Sequence, residues 1–297
     1  MGKQAKPTIK ERLDSIIFEE GIDELYVIFY EICKENLPLV IFEMEVGTYI
    51  VRQRINEKYK DFKNAHQLSY PPCDLVHYGR ANIPGHPMFY GSAYGASDTV
   101  LPRIVTLLET SEFAQDPETC GIERATFGRW DVIDKLQLIA LPFSTSYEKP
   151  IPEIMQIQND WNTQIINANI YKDAMSLVEY MSDEIAKKTN SDMEYFKIAN
   201  FVYFLLYINE NTKGYDGIIY PSVAARGEGY NIALKPETVD AKLQFSTALL
   251  CYLVKNKGKE CLDNVKHSIS KSPDGSLVYE YEPDFSVEKY KDYTFVN

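Results

Sequence analysis

The run Gly79-Arg80-Ala81-Asn82-Ile83-Pro84-Gly85-His86-Pro87-Met88-Phe89-Tyr90-Gly91-Ser92 stands out as a polar run that carries Arg80, Asn82, His86, Tyr90 and Ser92. It joins a Pro-Gly turn to a short β-rich segment, and turns held by rigid elements carry binding groups more often than element interiors do. Other candidates lie far away in sequence. Tyr49-Ile50-Val51-Arg52-Gln53-Arg54 sets guanidinium groups on a β-rich run, and a guanidinium grips phosphate oxygens in pairs. Ser222 follows Pro221, but no His or Lys stands at catalytic spacing, so it reads as a hydrogen-bonding group and not a nucleophile. Common signatures are missing: there is no G-x-G-x-x-G between a strand and a helix, no G-x-x-x-x-G-K-[ST] and no G-x-S-x-G.

The elements that must position these groups follow from periodicity. Residues Lys10 to about Glu35 repeat apolar side chains at helical spacing and are broken by Gly21, which predicts two helices. A strand is expected over Thr48–Arg54, a turn at Tyr70-Pro71-Pro72 and a strand at Met88–Tyr90. Ser97 or Asp98 can cap a helix that runs to about Phe113 and carries Glu109 in its third turn. Strands at Arg124–Trp130 and Leu136–Leu141 lead into a Pro-punctuated loop over Pro142–Pro152. Helices are expected over Trp161–Lys188 and Asp192–Ile208, the second apolar nearly all round and therefore buried. Gly217–Tyr220 and Tyr230–Leu234 read as buried strands, Thr238–Val254 as strand or helix, and Ser276–Phe285 as a terminal strand. The expected class is α+β: a helical N-terminal extension, residues 1–47, followed by a domain over residues 48–297.

The 297 residues carry a formal net charge of −12, which repels nucleic acid and anionic membrane surfaces and obliges a phosphate-bearing ligand to find a local basic pocket. No run of 18 apolar residues occurs, and Met1–Arg12 is polar, so a cytoplasmic protein is expected. Five cysteines without C-x-x-C spacing read as reduced thiols, and four histidines without H-E-x-x-H spacing read as surface or hydrogen-bonded, so no metal is expected.

Four segments, taken in order, resemble the motifs of the RES-domain family: the Arg52-x-Arg54 strand, the Arg80-x-Asn82 run ending in Phe89-Tyr90, the Val105–Glu109 helix, and Asp216–Val223 followed by Gly229-Tyr230-Asn231. The resemblance spans about Thr48 to Asp240 and implies an ADP-ribosyltransferase-like mixed-sheet core. It also implies an enzyme that degrades NAD⁺ by phosphorolysis, giving ADP-ribose-1″-phosphate with inorganic phosphate as co-substrate, or by hydrolysis. Arg52, Glu109 and Ser222 match the family's functional arginine, glutamate and serine. The stretch between Tyr90 and Glu109 is longer than in the family, which leaves Glu112 as an alternative.

Cleaving the nicotinamide bond builds an oxocarbenium ion on the ribose, so a carboxylate near C1 and O2 is the expected stabiliser. Arg52, and then Arg80 with Asn82, are the expected pyrophosphate ligands. Tyr90 would stack on nicotinamide or bond the ribose, with Ser92 and Asn231 nearby; a core tyrosine is the competing reading. Arg226, with the Gly227 and Gly229 backbone, would form an anion nest for phosphate beside Ser222, against a solvated loop charge. The resemblance further implies a toxin or defence effector restrained by an antitoxin or regulatory protein, and a homo-oligomer is compatible with it. Two other readings are a mono-ADP-ribosyltransferase that modifies a protein and a non-catalytic interaction module.

Overall fold

A computed structural model describes residues 6–33, 37–93, 101–141, 151–166, 172–187, 191–268 and 275–296. The chain builds a ten-stranded mixed sheet flanked by helices, which is the α+β class expected. In chain order the elements are α1 (Ile9–Asp14), α2 (Ile22–Cys33), β1 (Val40–Met44), β2 (Tyr49–Ile55), β3 (Phe89–Ala93), α3 (Pro102–Thr110) and α4 (Glu112–Gln115). Then come β4 (Gly121–Val132), β5 (Leu136–Ala140), α5 (Pro152–Ile166), α6 (Lys172–Ile185) and α7 (Asp192–Tyr203). The last are β6 (Gly217–Pro221), β7 (Tyr230–Leu234), α8 (Pro236–Lys242), β8 (Leu243–Asn256), β9 (Lys259–Ser268) and β10 (Tyr279–Tyr281).

The strand order is β1-β5-β6-β7-β3-β2-β4-β8-β9-β10, and β5 with β6 is the parallel pair; the other neighbours are antiparallel. β2 and β4 run together over seven residue pairs from Tyr49↔Asp131 to Ile55↔Ala125. β2 and β3 pair only through Ile50↔Ala93 and Val51↔Ser92. Beyond Val51 the two strands separate, so Arg52 and Gln53 stand at the mouth of a split in the sheet.

Two cores flank that split. Ile50 packs with Phe89, Trp130 and the helices α1, α2, α6 and α7 in the main core, whereas its neighbour Val51 packs with Leu107 and Phe113 under α3 and α4. Successive strand side chains point to opposite faces, so the two cores lie on opposite sides of β2. Gly91 makes the close β3–β2 approach possible, because a Cβ there would meet Ile50 Cγ2 at 2.6 Å and the Val51 carbonyl oxygen at 2.8 Å.

Residues 1–47 contain the two expected helices and also β1, which pairs antiparallel with β5 over five residue pairs. Phe29 of α2 packs on Phe201 and Phe204 with ring centroids 5.3 and 5.5 Å apart. These helices therefore share the main core, and a purely helical extension is corrected to helices plus an edge strand. The helix expected to reach Phe113 breaks at Ser111, whose backbone is extended (φ −110°, ψ 110°) and whose Oγ caps α4 by accepting from the Ala114 N–H at 2.8 Å. Its expected cap, Ser97 or Asp98, lies outside the described residues, as does 142–150 of the proline loop. Of the expected helix over Trp161–Lys188, the described residues form α5, which begins at Pro152, and α6. The second expected helix ends in a π turn over Phe204–Ile208, where the Asn209 N–H bonds the Phe204 carbonyl at 2.8 Å. Of the segment left open between strand and helix, residues up to Lys242 are helix and the rest is the long strand β8.

Candidate functional site

The split between β2 and β3 opens into a cavity of about 300 Å³. β2 contributes Arg52 and Gln53, β3 contributes Tyr90 and Gly91, and the preceding turn contributes Gly79 and Arg80. α3 closes one side with Thr106, Glu109 and Thr110. Tyr195 of α7, Tyr220 of β6 and Asn231 of β7 complete the wall. Segments separated by well over a hundred residues meet here because β7 pairs with both β3 and β6.

Glu109 is the most constrained group. Its Oε1 accepts from Ser222 Oγ at 2.6 Å and from Asn231 Nδ2 at 2.9 Å, with the Ala224 N–H at 3.4 Å. The fully buried Ser222 accepts in turn from the Ala225 N–H at 3.1 Å. Oε1 is thereby pinned. Such an arrangement orients a carboxylate that lines the cavity. Glu112 is exposed at the start of α4 and does not line the cavity, whereas Glu109 does.

Arg52 is half-buried and donates from Nη1 to the Tyr90 carbonyl at 2.8 Å, which spans the gap where the β2–β3 ladder stops. Its guanidinium lies 5.3 Å from the Phe89 ring centroid, and its Nε is buried without a partner among the described residues. Burial, with the neighbouring charge of Arg54, lowers its pKa to about 10, which leaves it cationic at neutral pH. Arg80 donates to the carbonyls of Ile185 and Lys187 at 2.6 and 2.7 Å and lies over Tyr195 at 5.6 Å. Those carbonyls belong to the end of α6 and the residues after it, so Arg80 also serves as their cap.

The Tyr90 hydroxyl donates to Asn82 Oδ1 at 2.7 Å and accepts from the Ala81 N–H at 3.0 Å. Burial pushes its phenol above the usual range, so it stays protonated. Asn82 also donates from Nδ2 to the His77 carbonyl at 2.7 Å. Asn82 is therefore a brace for Tyr90 and does not line the cavity. Tyr220 lines it with a deeply buried phenol, likewise raised by burial.

The remaining expected residues sit elsewhere. Ser92 is fully buried and donates to the Tyr230 carbonyl at 2.7 Å, which ties β3 to β7, and it does not line the cavity. Arg226 is exposed, with a left-handed backbone (φ 53°), and it does not line the cavity either. The turn Ser222–Gly229 does fold back on itself, since the Ser222 N–H bonds the Gly229 carbonyl and the Gly227 N–H bonds the Ser222 carbonyl, each at 2.9 Å. The second of these bonds uses the Gly227 N–H, one of the donors counted on for an anion nest.

Gln53, Thr106, Thr110, Tyr195 and Tyr220 line the cavity without having been expected. Strand alternation assigns Gln53 to the face opposite Arg52, so nothing in the pattern places both in one cavity; the split does. A scan against protein-family models and a search of curated proteins find no match to this chain.

Proposed function

We propose that the protein cleaves the nicotinamide–ribose bond of NAD⁺ within an ADP-ribosyltransferase-like core whose substrate cleft is the β2–β3 split. One observation carries the reading: Glu109, Arg52, Arg80 and Tyr90, taken from separate segments that resemble the RES-domain motifs, line one cavity, with Ser222 and Asn231 holding Glu109. The cavity lies at the lower end of the range for small-molecule pockets, about 300–1,000 Å³. It seats the nicotinamide riboside half and leaves the adenylate along the surface.

In this reading Glu109 faces the ribose and stabilises the positive charge that develops at C1 as nicotinamide leaves. Its carboxylate is held in advance by Ser222 and Asn231, so little reorganisation is required when the charge appears. Arg52 neutralises the pyrophosphate, with Arg80 beside it, and Tyr90 and Tyr220 give the leaving ring an aromatic wall. Inorganic phosphate or water completes the reaction at C1. The protein then acts as a toxin or defence effector that depletes NAD⁺ in the cytoplasm, and a protein partner restrains it.

The test is to incubate the full chain with NAD⁺, with and without millimolar phosphate, and to follow nicotinamide release with mass spectrometry of the second product. ADP-ribose-1″-phosphate identifies phosphorolysis, and ADP-ribose identifies hydrolysis. Absence of both turnover and binding of NAD⁺ would remove the proposal.

A further inference from the structure

Gln53 is 4% exposed and lines the cavity, yet its Nε2 has no hydrogen-bond partner among the described residues. Its other end is fixed, because Thr110 Oγ1 donates to Gln53 Oε1. Thr110 follows Glu109 directly on α3, and both line the same cavity. The amide donor and the carboxylate that Ser222 and Asn231 orient thus line one cavity. A buried donor without a partner is costly, and such groups are seldom left unmatched unless a ligand uses them.

The pairing limits what that ligand group can be. A carbonyl or a phosphate oxygen only accepts, so it would bond the amide and be repelled by Glu109. An ammonium or amide N–H only donates, so it would bond Glu109 and leave the amide unmatched. A hydroxyl satisfies both, since it gives its one proton to the carboxylate and offers a lone pair to the amide.

We infer that Gln53 is a specificity-determining residue that donates from Nε2 to a sugar hydroxyl of the substrate while that hydroxyl donates to Glu109. The inference rests on the NAD⁺ reading above, in which the hydroxyl belongs to the ribose carrying nicotinamide. Gln53 then distinguishes substrates that keep this hydroxyl from those that lack it. Glu109 alone would discriminate more weakly.

The experiment compares wild type, Gln53→Met and Gln53→Asn with NAD⁺ and with NAD⁺ analogues lacking the 2′- or 3′-hydroxyl of the nicotinamide ribose. Methionine keeps the volume and removes the donor, and asparagine keeps the amide but withdraws it by one methylene. Circular dichroism shows which variants are folded. The expected result is a rise of about five- to tenfold in KM for NAD⁺ in the folded variants, the scale of one lost hydrogen bond. Wild-type preference for NAD⁺ over one deoxy analogue should shrink by the same factor. Unchanged KM and unchanged discrimination in either folded variant, with wild type active, overturn the inference and leave the NAD⁺ reading standing. Should neither variant fold, wild type turning over both deoxy analogues as readily as NAD⁺ overturns it. Wild type that neither binds nor consumes NAD⁺ overturns both.

Discussion

Ser222 reaches across 113 positions of sequence to donate a 2.6 Å hydrogen bond to Glu109, and it is fully buried while doing so. This contact joins the turn after β6 to the last turn of α3, and it fixes which way the carboxylate faces. Ser222→Ala should lower nicotinamide release by about tenfold or more through a loosened Glu109. It should also cost about 1–2 kcal/mol in stability, because the Ala225 N–H loses its acceptor. Steady-state kinetics and urea unfolding read the two effects separately, and unchanged turnover would show that the contact is purely structural.

Glu109→Gln should leave the fold intact and reduce turnover by about a hundredfold, the scale of removing one preorganised electrostatic stabiliser. The comparison is Glu112→Gln, which removes an exposed charge outside the cavity and should stay within about twofold of wild type. Product chromatography on the two purified variants decides between the carboxylates.

Arg52→Lys should weaken NAD⁺ binding by about tenfold or more, since an ammonium cannot keep the Tyr90 carbonyl and still present a planar pair of donors to phosphate. Isothermal titration measures this. An affinity within a few-fold of wild type would remove Arg52 from the site.

Asp61 accepts from Arg124 and, at 2.8 Å, from Lys266, away from the cavity. Burial alone would raise its pKa, but the Lys266 bond and charge, with Arg124, outweigh it and leave the carboxyl below the usual aspartate range. A depressed folded-state pKa contributes stability above the unfolded value of about 3.9, and that contribution is lost as pH falls through the lower folded value. Asp61→Asn should therefore cost about 3 kcal/mol at pH 7, because two cations lose their partner. The gap from wild type should hold down to about pH 5 and narrow below about pH 4. Thermal unfolding across pH 3–7 would show a constant gap if Asp61 carried no charge in the folded protein.

Arg226→Gly should stabilise the protein by about 1 kcal/mol, because glycine adopts the left-handed conformation without a steric penalty. It should leave any phosphate dependence of turnover unchanged. A lost phosphate response would instead return Arg226 to the site.

The strands β2, β6 and β7 were legible because each is a short run rich in β-forming residues, and β7 matches its expected span of Tyr230–Leu234. The edge strand β1 was missed, because Val40–Met44 is short and lies just past the helical pattern, which ends at about Glu35, within the segment assigned to the helical extension. β9 was hidden for another reason: its sequence, KECLDNVKHS, is mostly polar and has no apolar alternation, and its pairing with β8 supplies what the pattern lacks. At the site, Arg52, Glu109 and Tyr90 could be named from residue type and order. Gln53 could not, because its place depends on where the β2–β3 ladder stops, a tertiary fact with no local signal.

The interruption of that ladder also sets a schedule for synthesis. A ribosome that has made the first two hundred residues has already produced Arg52, Arg80, Tyr90 and Glu109. It has not yet made β6 or β7, so neither Ser222 nor Asn231 exists to hold the carboxylate, and β3 lacks the neighbour it pairs with from Phe89 to Ser92. The nascent chain accordingly lacks the complete cavity for most of its translation. The wall is finished only after Leu234 has been made.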